Sequence, residues 1–141
     1  MKGFRKCWLC TVQSRYVALI KSGEKSIEVR TRIPRDLKEG DGLYIMEKGT
    51  RELALVARIG SIFCYDRVCL SLTLPRYIQR RTCLSFEEID QYINGRPEVN
   101  FLEITPVWIP RDEERKYLTP EYYGYRCMPQ GIFPIPGRWK P

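Results

Sequence analysis

Gly23-Glu24-Lys25-Ser26-Ile27-Glu28-Val29-Arg30 is the stretch whose reading decides the fold. It has the spacing G-x-K-x-x-E-x-R. Taken as an entering strand, it alternates Lys25, Ile27 and Val29 on one face with Ser26, Glu28 and Arg30 on the other. That places Glu28 and Arg30 side by side, where a carboxylate and a guanidinium pair. Gly23 permits a tight turn just before the strand, so Lys25 at the strand's start can lean into a cleft. Two bases and one acid at such a junction suit an anion or the polar edge of a base. They equally suit a solvated edge strand with a surface ion pair. The residues by themselves leave both readings open.

Working outward, Phe4 to Val12 reads as a first strand rich in Cys, Trp and Leu. Ser14 to Ser22 reads as a helix. Ser14 is its expected N-cap, Val17, Ala18 and Ile20 point inward, and Tyr16 and Leu19 flank them. Gly23 is placed to end it. After the motif, Pro34 breaks the strand, and Glu39-Gly40-Asp41-Gly42 forms a turn. Leu43 to Glu47 and Leu53 to Phe63 read as strands joined by a tight connection containing Gly49. Gly60 inside the second predicts a bulge or bend.

Residues 65–84 give no clear element. Leu70, Leu72 and Leu74 alternate, then Pro75 interrupts. Arg76, Tyr77, Arg80 and Arg81 suit a basic helical turn or an ordered loop. Ser85 and Glu88 have the spacing of a capping box for a helix that Gly95 closes. Val99 to Ile104 alternates as a strand, which Pro106 ends or marks as an edge. Residues 105–141 are rich in proline and aromatic side chains, a composition too apolar for free disorder.

The 141 residues are about one domain's worth, and 43% hydrophobic content is enough for one core. Net charge is +7, from 24 basic and 17 acidic residues, which favours an acidic partner such as nucleic acid. The chain has no histidine. Serine–histidine and cysteine–histidine nucleophile systems are therefore excluded, as are histidine-ligated metals. Acid–base chemistry would fall to Lys, Glu, Asp, Tyr or Cys. No signal peptide and no membrane-spanning segment is visible, so a cytoplasmic location is expected, with the six cysteines reduced. Cys7-x-x-Cys10 with Cys64 and Cys69 is the one zinc-like set. A strand would turn Cys7 and Cys10 to opposite faces, so free buried cysteines are the favoured reading and no metal or cofactor is expected.

The motif together with what surrounds it resembles the ASCH domain, a branch of the PUA-like superfamily. The preceding helix, the Lys38-Glu39-Gly40-Asp41 turn, the long strand from Leu53 to Gly60 and the Ser85–Ile93 helix follow in the order of that family. The resemblance covers roughly residues 4–109. It implies an α+β fold: a small mixed, mostly antiparallel PUA-like β-barrel with two or three flanking helices. Residues 1–110 would form the domain, and 111–141 an extension packed on it.

By the same resemblance, RNA or a nucleotide-like ligand would lie in a cleft beside the motif. Gly23, Lys25, Ser26, Glu28 and Arg30 would line the site, and Arg76, Arg80 and Arg81 would extend it. Lys25 and Arg30 would meet phosphate or a base edge. Glu28 would orient Lys25 or accept from a base amino group. Hydrolysis stays open, with Lys25 and Glu28 as the catalytic pair. One branch of similar proteins deacetylates a modified cytidine with a threonine nucleophile three residues after the lysine, and another member is associated with ribonuclease activity. Here Glu28 stands at that threonine's place, which counts against the amidohydrolase. A third reading is a protein-interaction adaptor that uses the C-terminal extension as its contact. No membrane partner is implied.

Overall fold

The computed structural model describes residues 4, 7–50, 52–115 and 138–139. One mixed sheet organises them. Its strands are β1 (Cys7–Val12), β2 (Ile27–Arg30), β3 (Gly42–Glu47), β4 (Leu53–Asp66), β5 (Glu98–Trp108) and β6 (Arg138–Trp139), in the order β2-β5-β4-β3-β1-β6. The pairs β2/β5, β5/β4 and β4/β3 are antiparallel, whereas β3/β1 and β1/β6 are parallel. The expected α+β class and mostly antiparallel sheet are thus present. Among the described residues the strand ladder does not close into a full barrel: β2 and β6 are its two edges. A side chain spans the gap between β2 and β1 instead: Arg30 Nη2 donates to the Thr11 carbonyl at 2.9 Å.

The sheet is buried on both faces. Along β1, Trp8, Cys10 and Val12 enter the cluster shared with helix α1 (Ser14–Ser22), while Cys7 enters another with Phe4 and Tyr44. Strand geometry therefore separates the two cysteines of the C-x-x-C pair. On β5, Leu102 joins the α1 cluster, whereas Phe101 packs in the opposite one with helix α4 (Phe86–Ile93). Each such buried Phe or Ile contributes about 1.5–3 kcal/mol of transfer free energy.

Helix α1 buries Val17 and Ile20 and ends where Gly23 takes the left-handed conformation at φ 86°. Two details differ from expectation. Gln13, not Ser14, is the N-cap, and it makes no side-chain cap bond. Ala18 faces solvent, because the buried stripe is the i, i+3 pair alone. Helix α4 begins with the capping box of Ser85 and Glu88 and buries Ile89 and Ile93. Its cap is Asn94 in the left-handed region, one residue before Gly95.

Residues 67–69 form a single 3-10 turn, followed by α2 (Leu70–Thr73) and α3 (Arg76–Thr82). Leu70, Leu74 and Ile78 stand four residues apart and all pack in the α4 cluster. Gly60 sits where the β4/β5 register shifts, between Ile59 and Ile62. A Cβ there would stand 2.9 Å from Glu103 Oε1. Strand β5 continues through Pro106, where its pairing with β4 shifts register. This lies beyond Glu103, the last β5 residue that β2 pairs, so among the described residues no strand needs the proline's missing N–H on that side. After β5, the short helix α5 (Asp112–Arg115) brings Arg115 to Glu47 at 3.2 Å and to Glu52 at 3.5 Å. Most of the C-terminal extension, with Tyr117, Tyr122, Tyr123, Arg126, Phe133 and Lys140, lies outside the described residues, as do the side chains of Cys69, Arg138 and Trp139.

Candidate functional site

The motif does not start as a strand. The Lys25 N–H donates to the Leu19 carbonyl at 3.0 Å, so residue 25 still belongs to the turn that leaves α1. Lys25 is thereby released from the strand alternation. Its ammonium stands on the Glu28 side, 3.9 Å from Glu28 Oε1, and not with Ile27 and Val29, which pack into the α4 cluster. The expected Glu28–Arg30 pairing is present, with Arg30 Nη2 at 3.4 Å from Glu28 Oε2. The glutamate is thus flanked by a cation at each oxygen.

Burial gives this trio its character. Lys25 is 2% exposed and Glu28 is 7% exposed. Lys25 Nζ donates to the Thr82 carbonyl at the end of α3, at 2.6 Å, and lies 5.0 Å from the centre of the Tyr16 ring. Burial pushes the lysine's pKa below its ordinary value, and the Glu28 carboxylate opposes that shift. Glu28 Oε1 also accepts from the Val29 N–H at 3.1 Å. The Arg30 guanidinium lies 5.7 Å from the Trp8 ring centre, within cation–π range. Beneath it, burial pushes the Cys10 thiol up to about 12, with Arg30 opposing. A thiol held protonated in this way is no nucleophile at neutral pH.

Lys25, Glu28 and Arg30 line a cleft of about 410 Å³. Its walls come from Thr11 and Val12 at the end of β1, from Arg15 and Tyr16 on α1, from Leu84, and from Glu88, Gln91 and Tyr92 on α4. At its mouth Arg15 Nη2 donates to the Tyr16 hydroxyl at 2.6 Å and approaches Glu88 Oε2 at 3.9 Å. Burial raises the Tyr16 phenol's pKa above its ordinary value, with the Arg15 guanidinium opposing. These contacts tie the first turn of α1 to the first turn of α4.

The remaining sequence-predicted residues lie elsewhere. Gly23 is the exposed cap of α1. Ser26 faces α3: its hydroxyl accepts from Arg81 Nε at 2.8 Å and its N–H donates to the Arg81 carbonyl at 2.9 Å. Arg81 also pairs with Glu103 at 2.9 Å. Arg76 and Arg80 are exposed on α3, with Tyr77 65% exposed between them, and none of the three lines the cleft. On the cleft's α4 wall, sequence reasoning reached only Glu87 or Glu88, as a candidate carboxylate later in the chain, and missed Gln91 and Tyr92, although Glu88, Gln91 and Tyr92 have the i, i+3, i+4 spacing of one helical face. Glu88 has a second role as the capping-box residue, which hid its place at the cleft. Among the described residues no three Cys, Asp or Glu side chains are grouped as metal ligands would be, and no helix is long and apolar enough to cross a membrane.

No protein-family model and no curated protein matches the sequence. Solved structures do match. The chain is similar to the ASCH protein of Zymomonas mobilis, with a TM-score of 0.59 and 19% identity over 87% of this chain and 80% of that one. It is similar to an ASCH domain from Lactobacillus crispatus, with a TM-score of 0.53 and 7% identity over 74% and 82%. It is also similar to the hypothetical protein PH0355, with a TM-score of 0.52 and 25% identity over 72% and 99%. The identities to the two ASCH structures are low, so that likeness is one of architecture. The chain therefore has the α+β fold of an ASCH domain, with a curled, open sheet where the G-x-K-x-x-E-x-R resemblance implied a barrel.

Proposed function

We propose that this chain binds RNA, holding one nucleotide's base in the cleft beside the motif. The observation that carries this reading is the buried Lys25–Glu28 pair, with half-buried Arg30 beside it, lining a cleft about 410 Å³ in volume. That size falls within the ordinary range for small-ligand sites, roughly 300–1,000 Å³. Tyr92 on its wall, 45% exposed, offers a ring for stacking, and base–aromatic stacking contributes about 1–3 kcal/mol per base. The net charge of +7 favours a polyanion, and Arg76 and Arg80 on α3 give its backbone somewhere to run.

The test is fluorescence anisotropy with labelled single-stranded RNA. Wild-type protein is expected to bind with an affinity that falls as salt rises, and Lys25→Met, which keeps the side chain's bulk, to bind at least about tenfold more weakly. Equal affinity in a folded Lys25→Met protein sinks the proposal.

A second reading, hydrolysis of RNA, is favoured by the lysine itself. Its lowered pKa suits a general base, and Glu28 stands beside it. End-labelled RNA on denaturing gels decides the matter. Cleavage lost in both Lys25→Met and Glu28→Gln makes the site a ribonuclease; intact RNA with wild type removes that reading and leaves binding.

A further inference from the structure

We infer that Arg15, at the mouth of the cleft, holds a phosphate of the nucleotide whose base the cleft receives, so that the site takes a nucleotide in preference to a free nucleoside. The inference rests on the nucleotide-binding function proposed above. It starts from the charges on the lining. Three cations, Arg15, Lys25 and Arg30, stand with two carboxylates, Glu28 and Glu88. The two inner cations are committed to Glu28, at 3.9 Å and 3.4 Å. Arg15 is not committed to Glu88 in the same way. Their closest approach is 3.9 Å, longer than a hydrogen bond, between side chains 66% and 45% exposed. Glu88 is held elsewhere, since its Oε1 accepts the Ser85 N–H at 3.1 Å in the capping box of α4. The surplus positive charge of the lining therefore sits at the mouth.

Arg15 is also arranged for an anion. Its guanidinium carbon lies 4.5 Å from the Tyr16 ring centre, and Nη2 donates to the Tyr16 hydroxyl at 2.6 Å. These contacts restrain the side chain beside the cleft and use only part of a group with five donors. A guanidinium fork matches two phosphate oxygens. The first turn of α1, which carries Arg15, has no acidic side chain to repel the phosphate. The floor is the poorer place for it. There Glu28, 7% exposed, lies against both cations, and a phosphate would be desolvated beside a carboxylate.

Tyr16 sets the span between the two ends of the site. Lys25 Nζ lies 5.0 Å from its ring centre and the Arg15 guanidinium carbon 4.5 Å, so the two cations are at most 9.5 Å apart. Within that span one nucleotide reaches both, its base toward the floor and its phosphate toward the mouth.

The test is titration calorimetry on the full chain at low salt, with the nucleosides of A, C, G and U and their 5′- and 3′-monophosphates. For the nucleoside that binds best, one of its two monophosphates is expected to bind at least about tenfold tighter. That gain should shrink as salt rises. Arg15→Gln should narrow the gap to about twofold, and Arg15→Lys, which keeps the charge and loses the fork, should restore part of it. Equal binding of the nucleoside and both monophosphates, or a gap that persists in Arg15→Gln, overturns the phosphate assignment. If nucleoside binding is then still lost in Lys25→Met, the base-binding reading survives. No binding of any nucleoside or monophosphate by folded protein overturns the inference, and the absence of RNA binding as well overturns the function on which it rests.

Discussion

Two glutamate–arginine pairs flank the start of β2, and their difference separates structure from site. Glu103 and Arg81 stand 2.9 Å apart on the α3 side. Glu103 Oε1 takes the Ser61 N–H at 3.1 Å, and Arg81 Nε donates to Ser26. Every named group there has a partner, and the result locks the bulge at Gly60 to β5 and α3. Glu28 and Arg30, on the cleft side, stand farther apart at 3.4 Å, share their environment with a buried ammonium, and retain donors and acceptors that no described residue meets. A satisfied network rigidifies a fold. A buried, half-satisfied one is costly unless a ligand completes it.

The comparison breaks first at Glu103. Glu103→Ala removes a charge-assisted bond to the bulge and a pair about one-third exposed on each side. With the exposed pair discounted for screening, the expected loss is about 1–2 kcal/mol by denaturant unfolding, while RNA affinity stays unchanged. The Ser61 N–H, and after it Arg81, hold the Glu103 carboxyl below its ordinary pKa. Its contribution is therefore full above the unfolded value near 4.5 and is lost as pH falls through the folded one. Wild-type stability should decline more steeply on acidification than that of Glu103→Ala. A variant that loses binding but no stability would reverse the roles given to the two pairs.

At Lys25 stability again rises with pH, but for the opposite reason: there the native state disfavours the charged form. The lysine's folded pKa lies below the unfolded value near 10.5, because burial disfavours the ammonium. The unfolded chain thus holds that proton more tightly, and stability rises with pH across the window between the folded pKa and 10.5. Relative to Lys25→Met, the wild type should gain stability as pH is raised from 7 toward 10.5. A difference that stays flat over that range would show the ammonium to be solvated in the native state and would remove the buried donor from the cleft floor.

How much of this was legible in the sequence depended on whether one residue served one purpose. Val17 and Ile20, Gly23, the bulge at Gly60 and the Ser85–Glu88 box each follow a local rule, and the structure obeys it. Residues 65–84 resisted because Leu70, Leu72 and Leu74 mimic strand alternation. The spacing that governs is Leu70, Leu74 and Ile78, which runs in steps of four across Pro75, and the proline merely precedes the first turn of α3. Lys25 was put on the wrong face because its N–H bond to Leu19, part of how the chain leaves α1, postpones the strand by two residues. The motif half of the cleft was readable from spacing. The α4 half was not, because juxtaposing Glu88, Gln91 and Tyr92 with Tyr16 is a tertiary event that no local pattern encodes.

The smallest expected effect lies outside the cleft and sharpens the division between reading a base and holding a backbone. Arg80 is exposed on α3, four residues after Arg76 on the same helical face, and neither touches the cleft. In the binding proposal these arginines meet phosphates, which carry no sequence information. Arg80→Ala should therefore lower the slope of log affinity against log salt by about one or less, weaken U and C oligomers alike, and leave folding stability within about 0.5 kcal/mol. Arg30, by contrast, flanks Glu28 and reads an edge, so its loss should alter base preference. Titrations of both variants at several salt concentrations distinguish the two kinds of arginine. If Arg80→Ala changes base preference while the salt slope holds, the exposed face of α3 is itself a reading surface, and the cleft does not act alone.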